Sequence, residues 1–94
     1  MNRLPPLKAL QAFRYAAEQG SFKHAAEQLF VTQAAISQQI KTLEQHLGLT
    51  LFKRMTREVE LTSEGRLLLP FVSKAFGSLE EGISRLEADP YPNR

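Results

Sequence analysis

The side chains best suited to chemistry in this chain lie in one stretch, TQAAISQQIKTLEQHL, from Thr32 to Leu47. Gln33, Ala34, Ser37, Gln38 and Lys41 supply two amides, a methyl, a hydroxyl and an ammonium, with no carboxylate among them. Such groups match the edges of base pairs. Glutamine pairs bidentately with adenine, serine adapts to donors or acceptors, and an alanine methyl meets the thymine methyl. On a helix, at about 100° per residue, these five residues share an arc of about 140°. Ile36, Ile40, Leu43 and Leu47 fall beside it in a stripe about 60° wide, which the pattern predicts to be buried. Thr32 suits the helix N-cap, and Gly48 suits the left-handed residue that ends a helix. Taken alone, the polar arc fits a solvated helix face equally well, so the flanking chain has to decide between the two.

Upstream, Pro5 and Pro6 introduce a first helix with apolar positions Leu7, Leu10, Phe13 and Ala17, ended by Gly20. Ser21 is the expected cap of a second helix whose apolar face is Phe22, Ala25, Ala26 and Leu29. The small pair Ala25-Ala26 lets another helix approach closely. Only Phe30 and Val31 then separate this helix from the Thr32 cap. Two short helices joined by so tight a turn predict a helix-turn-helix, in which the second helix presents its N-terminal residues to the major groove.

Downstream of Gly48 the periodicity changes. Val59 and Leu61 alternate with Glu60 and Thr62, the period of a half-buried strand. The expectation is a short hairpin, or wing, of Leu51–Arg54 and Val59–Thr62, although its loop lacks an Asn-Gly or Asp-Gly signal. The wing carries Lys53, Arg54 and Arg57, and places the arginines beside the recognition helix for contact with phosphates or a minor groove. Thr62 can cap a last helix that runs to about Ala88. Along it Leu68, Val72, Ala75, Phe76, Leu79, Ile83 and Leu86 form a long apolar seam, which a second copy of the same helix in a two-fold dimer would cover. Gly77 and Gly82 each lower its intrinsic stability by ~1 kcal/mol. Pro70 predicts a bend near Arg66–Pro70, or a later start to the helix.

Bulk properties fit one small domain with an appendage. The chain has 94 residues, 43% of them hydrophobic, and a net charge of +2. Residues 1–66 hold nine Lys or Arg against six acids, and residues 67–94 hold three against four, so the excess of positive charge belongs to the part that contains the wing. No cysteine is present, which excludes disulfides and cysteine-based zinc sites. The opening MNRLPPLKAL has no long apolar run, and no stretch approaches a membrane span, so a cytoplasmic location with no membrane partner is expected. His24 and His46 lie on different predicted helices, with no serine, aspartate or cysteine in a nucleophilic or metal-ligand pattern beside them. Glu44, Glu80 and Glu81 read as solvated surface carboxylates, and no phosphate-binding glycine loop is present. No catalytic residue, metal site or cofactor is expected in this region.

The ordered segments AAEQL, VTQAAIS, LEQHLG, LFKR and LTSEG, spread over Leu7 to about Leu86, resemble the N-terminal region of LysR-type transcriptional regulators. TQAAIS and the LPPLKAL opening resemble the branch of that family that holds the glycine-cleavage activator and the β-lactamase regulator. The resemblance implies a mainly α winged helix-turn-helix (residues 1–62), a dimerisation or linker helix (63–88) and the start of a hinge (89–94) to a C-terminal domain that binds a small-molecule effector. It also implies a homodimer on double-stranded DNA, assembling to a tetramer in the full-length protein. By the same resemblance the base-facing positions are Thr32, Gln33, Ala34, Ser37 and Gln38, and the wing arginine is Arg54. Many relatives carry arginine at the position of Gln38, so base preference does not transfer there, and many carry proline near Ala34, so a slightly different start of the recognition helix is expected.

Overall fold

In a computed structural model the described residues are 4–56 and 58–88. They form α1 (Leu7–Gln19), α2 (Phe22–Leu29), α3 (Gln33–Leu47), β1 (Phe52–Arg54), β2 (Val59–Leu61) and α4 (Ser63–Ala88). The helix boundaries are set by local chemistry. Ser21 Oγ accepts from the His24 N–H at 3.1 Å, and Thr32 Oγ1 accepts from the Ala35 N–H at 3.0 Å. Each satisfies a donor that a first helical turn leaves orphaned. Gly20 (φ +64°) and Gly48 (φ +72°) close α1 and α3 in the left-handed conformation. Phe30 closes α2 in the same conformation (φ +57°), although it carries a side chain.

Helices α1, α2 and α3 pack on one another through small residues. Ala9, Ala12 and Ala16 of α1 and Ala25 and Ala26 of α2 are buried, as are Phe13, Ile36, Ile40 and Leu43. The core face of α1 is therefore Ala9-Ala12-Phe13-Ala16, rotated from the expected Leu7-Leu10-Phe13-Ala17. Alanines at this crossing let the three backbones come close, and the leucines of α1 turn toward α4 instead. Leu7 is 61% exposed there, on the rim of an apolar recess shared with Leu10 and Phe71. Leu47, expected in the buried stripe of α3, is also a rim residue of this recess and is 37% exposed.

The wing is an antiparallel pair with Phe52 opposite Leu61, Lys53 opposite Glu60 and Arg54 opposite Val59. It is one residue shorter at each outer end than the alternation suggested. Side chains replace the ladder there. The Glu44 carboxylate of α3 accepts from the backbone N–H of Leu51 at 2.8 Å and of Phe52 at 3.3 Å. Glu44 is thus half-buried and structural, not a solvated charge. Thr62 donates its N–H to the Leu51 carbonyl at 2.9 Å and its hydroxyl to the Thr50 carbonyl at 2.8 Å. The same hydroxyl oxygen accepts from the Gly65 N–H at 3.1 Å, so Thr62 both ends the wing and caps α4.

Helix α4 starts at Ser63 and runs without interruption through Pro70, so the later start considered for it does not occur. Pro70 is exposed and has no N–H to offer the Arg66 carbonyl one turn back. At the first turn, Glu64 accepts from its own backbone N–H and from the Ser63 hydroxyl (3.1 Å), which holds its carboxyl below the usual carboxylate value. Farther along, Arg14 of α1 donates to Glu80 of α4 at 3.1 Å and to Glu18 at 3.1 Å, and its guanidinium lies 5.7 Å from the Phe76 ring centre. From Ser78 to Ala88 every residue is exposed, and this part of the helix extends from the body as an arm. No helix among the described residues is long and apolar enough to cross a membrane.

Gly65 is the point of closest approach between α4 and the wing. A Cβ there would collide with the Leu51 carbonyl oxygen and with Leu61 Cδ2 at 2.8 Å, whereas nothing lies within 4 Å of a Cβ at Gly82. We therefore expect Gly65→Ala to destabilise the chain by ~1–3 kcal/mol in spite of its better helix propensity. Gly82→Ala should stabilise it by ~0.5–1 kcal/mol. Urea unfolding followed by circular dichroism checks both signs.

Candidate nucleic-acid interface

The apolar ridge Ile36-Ile40-Leu43 faces the core, and this fixes what α3 shows to the outside. Thr32, Gln33, Ala34, Gln38 and Lys41 are exposed, and Ser37 is half-buried at the edge of the same face. All six therefore lie together on one accessible strip. Thr32 uses its oxygen as the cap, but its hydroxyl proton remains available to a partner. The Gln38 amide lies 3.5 Å from the Thr42 hydroxyl, a long contact that leaves it easily redirected. No acid stands in the first turn of α3, so the positive end of the helix dipole is uncompensated at Thr32–Ala34.

The wing brings basic groups to the same end of α3. A recess of about 150 Å³ is lined by Gln33 of α3, the Ser21 cap, Phe22 and Lys23 of α2, Arg54 of β1 and Glu58 of the loop before β2. Arg54 is exposed and lies over the Phe22 ring, its guanidinium carbon 4.8 Å from the ring centre. Lys53 is separated from it. Strand alternation puts Lys53 on the other face of the hairpin, opposite Glu60. Arg57 lies outside the described residues. Lys23 was not singled out from the sequence, although its position in the first turn after the Ser21 cap could have pointed to it. The recess brings Lys23 to the same opening as Gln33.

A second surface runs along α4. Val72 is buried in the core of its own chain, and Leu68 and Phe76 are half-buried against that core. These three members of the expected seam therefore serve largely within the subunit. Ala75, Leu79, Ile83 and Leu86 are exposed, and Leu67 and Phe71, at 71% and 68% exposure, extend the open apolar face toward the body.

A helix-turn-helix with a two-stranded wing and an acid-free recognition face defines a winged helix-turn-helix. Residues 7–66 match the family described as the bacterial regulatory helix-turn-helix protein, lysR family, and the chain belongs to that family. It is 51% identical over 87 residues to the glycine cleavage system transcriptional activator of Escherichia coli (strain K12), covering 93% of this chain and 28% of that protein. It is 45% identical over 84 residues to the carbapenem-hydrolyzing beta-lactamase transcriptional activator of Serratia marcescens, covering 89% of this chain and 28% of that protein. The chain thus spans under a third of the length of these relatives. Among solved structures, the BenM DNA-binding domain in complex with catB site 1 DNA superposes with a TM-score of 0.80 at 31% identity. The match covers 88% of this chain and 93% of that one.

Proposed function

We propose that this chain is the sequence-specific, double-stranded-DNA-binding part of a LysR-type transcriptional regulator and reads an interrupted dyad operator as a homodimer. The observation that carries the reading is the exposed strip of amides, hydroxyl and methyl on α3, free of acids and adjoining Arg54 and Lys23. In this reading Thr32, Gln33, Ala34, Ser37 and Gln38 meet base edges in the major groove. Lys41, Arg54 and Arg57 supply charge to the phosphates, while Lys53, on the other face of the hairpin, adds to the basic field without a direct contact. The DNA carried by the BenM domain supports the same use of this fold.

The open apolar face of α4 supports dimerisation. Leu67, Phe71, Leu79, Ile83 and Leu86 are each more than half exposed on one helix, an open apolar face of the kind that marks an interaction surface. A second copy related by a two-fold axis covers it and sets two α3 helices to face half-sites about one helical turn of DNA apart. Tetramer assembly and recognition of a small-molecule effector belong, in this proposal, to the longer protein that the relatives' lengths suggest. A cytoplasmic location accompanies the role.

Gln33→Ala should cost ~1–3 kcal/mol on the preferred duplex and relax base choice at one position. Binding to selected and random duplexes measures this, and equal losses on both would contradict a base contact. Arg54→Ala should weaken binding to every duplex and lower the slope of log affinity against log salt by ~1. An unaltered slope would remove Arg54 from the phosphate contacts. Replacing both Leu79 and Ile83 by Asp should leave a folded monomer in sedimentation equilibrium. A persistent dimer would place the interface elsewhere.

A further inference from the structure

Arg54 has a partner that contact with DNA does not by itself require. In β1, Phe52 and Arg54 are two residues apart and so share a face of the strand. The backbone geometry that sends Phe52 into the core also sends Arg54 over the rim of that core. Phe22, from the start of α2, stands at this rim. It is 5% exposed and meets Phe52 edge-on, with ring centres 5.4 Å apart at 83°. Phe52 is in turn tilted against Phe13 at 5.6 Å. The row Phe13-Phe52-Phe22 is thus anchored in the core at one end and offers a ring to the guanidinium at the other, at 4.8 Å. That separation is within cation–π range. Among the described residues no ion pair holds Arg54, and the Phe22 ring is the contact its guanidinium makes.

We propose that Phe22 is a positioning residue for DNA binding, holding the Arg54 guanidinium at the mouth of the recess it shares with Gln33. The proposal rests on the reading above that Arg54 meets DNA. An unsupported arginine has many rotamers, and binding must freeze them at a cost in affinity. A planar guanidinium lying on a core-anchored ring is ordered before the duplex arrives. Lysine could not use the platform equally, because its ammonium is a compact, strongly hydrated charge.

The test is a double-mutant cycle in the full chain, titrating a fluorescent duplex that the wild-type chain itself selects from a random pool. Phe22→Leu keeps an apolar filler but removes the ring. It should weaken binding about two- to five-fold, and it should have no further effect in an Arg54→Ala background. An equal loss in both backgrounds would mean that Phe22 acts through the fold, and no loss in either would mean that the ring does not position Arg54. Either result overturns the proposal. If Arg54→Ala alone leaves binding unchanged, the DNA-contact reading of Arg54 fails and takes the proposal with it. Should Phe22→Leu fail to fold by circular dichroism, the wild-type NMR spectrum decides. A stacked side chain puts the Arg54 δ-methylene protons upfield of their random-coil position, and random-coil shifts would overturn the proposal.

Discussion

Burial of one ridge, Ile36-Ile40-Leu43, against the alanine faces of α1 and α2 controls the rest of this molecule. A helix with a single greasy stripe has one low-energy rotation about its axis once that stripe is covered. The alanines at 9, 12, 16, 25 and 26 let α1 and α2 approach closely enough to cover it. The rotation then determines the function of α3. With the ridge turned inward, Gln33, Ala34, Gln38 and Lys41 have no surface to face but the outside. Orientation of the polar strip is a consequence of core packing, and no polar contact within the protein has to enforce it.

The wing depends on the same helix for its position. Glu44 sits one residue beyond Leu43 on α3, and its carboxylate takes the two backbone donors at the start of β1. The hairpin is too short to be stable alone. Tied to α3 by Glu44, closed by Thr62 and backed by the Phe13-Phe52-Phe22 row, it holds Arg54 at a fixed place relative to Gln33. Gly65 completes this joint, because only a residue without a side chain lets α4 leave the hairpin so close to Leu51. Core, wing and arm therefore share a few residues around Leu51 and Thr62, and a change there is felt by all three.

Much of this was legible in the residue order. Cap and stop signals at Ser21, Thr32, Gly48 and Thr62 stand where the structure uses them, because a cap depends on chemistry within a few residues. The face of α2 and the ridge of α3 up to Leu43 also follow from periodicity. What periodicity could not supply was competition between faces. Helix α1 has an alanine face and a leucine face, and only docking against α2 and α3 turns the alanines inward and leaves the leucines toward α4. Leu47 and Leu7 remain open at the resulting groove, where the apolar seam of α4 passes. The wing roles of Glu44 and Phe22 were hidden for a similar reason. Each acts on residues far away in sequence, through a contact that exists only after the helices have docked. The opposite directions of Lys53 and Arg54, in contrast, are plain strand alternation and were readable from the start.

The most direct measurement of the central claim is an NMR titration of the chain with a selected duplex, following glutamine side-chain amides. If the exposed strip of α3 reads bases, the amides of Gln33 and Gln38 shift and gain protection from exchange, while Gln11 and Gln19 on α1 stay where they were. Shifts concentrated on the α1 amides, with Gln33 and Gln38 unmoved at saturation, would contradict the account.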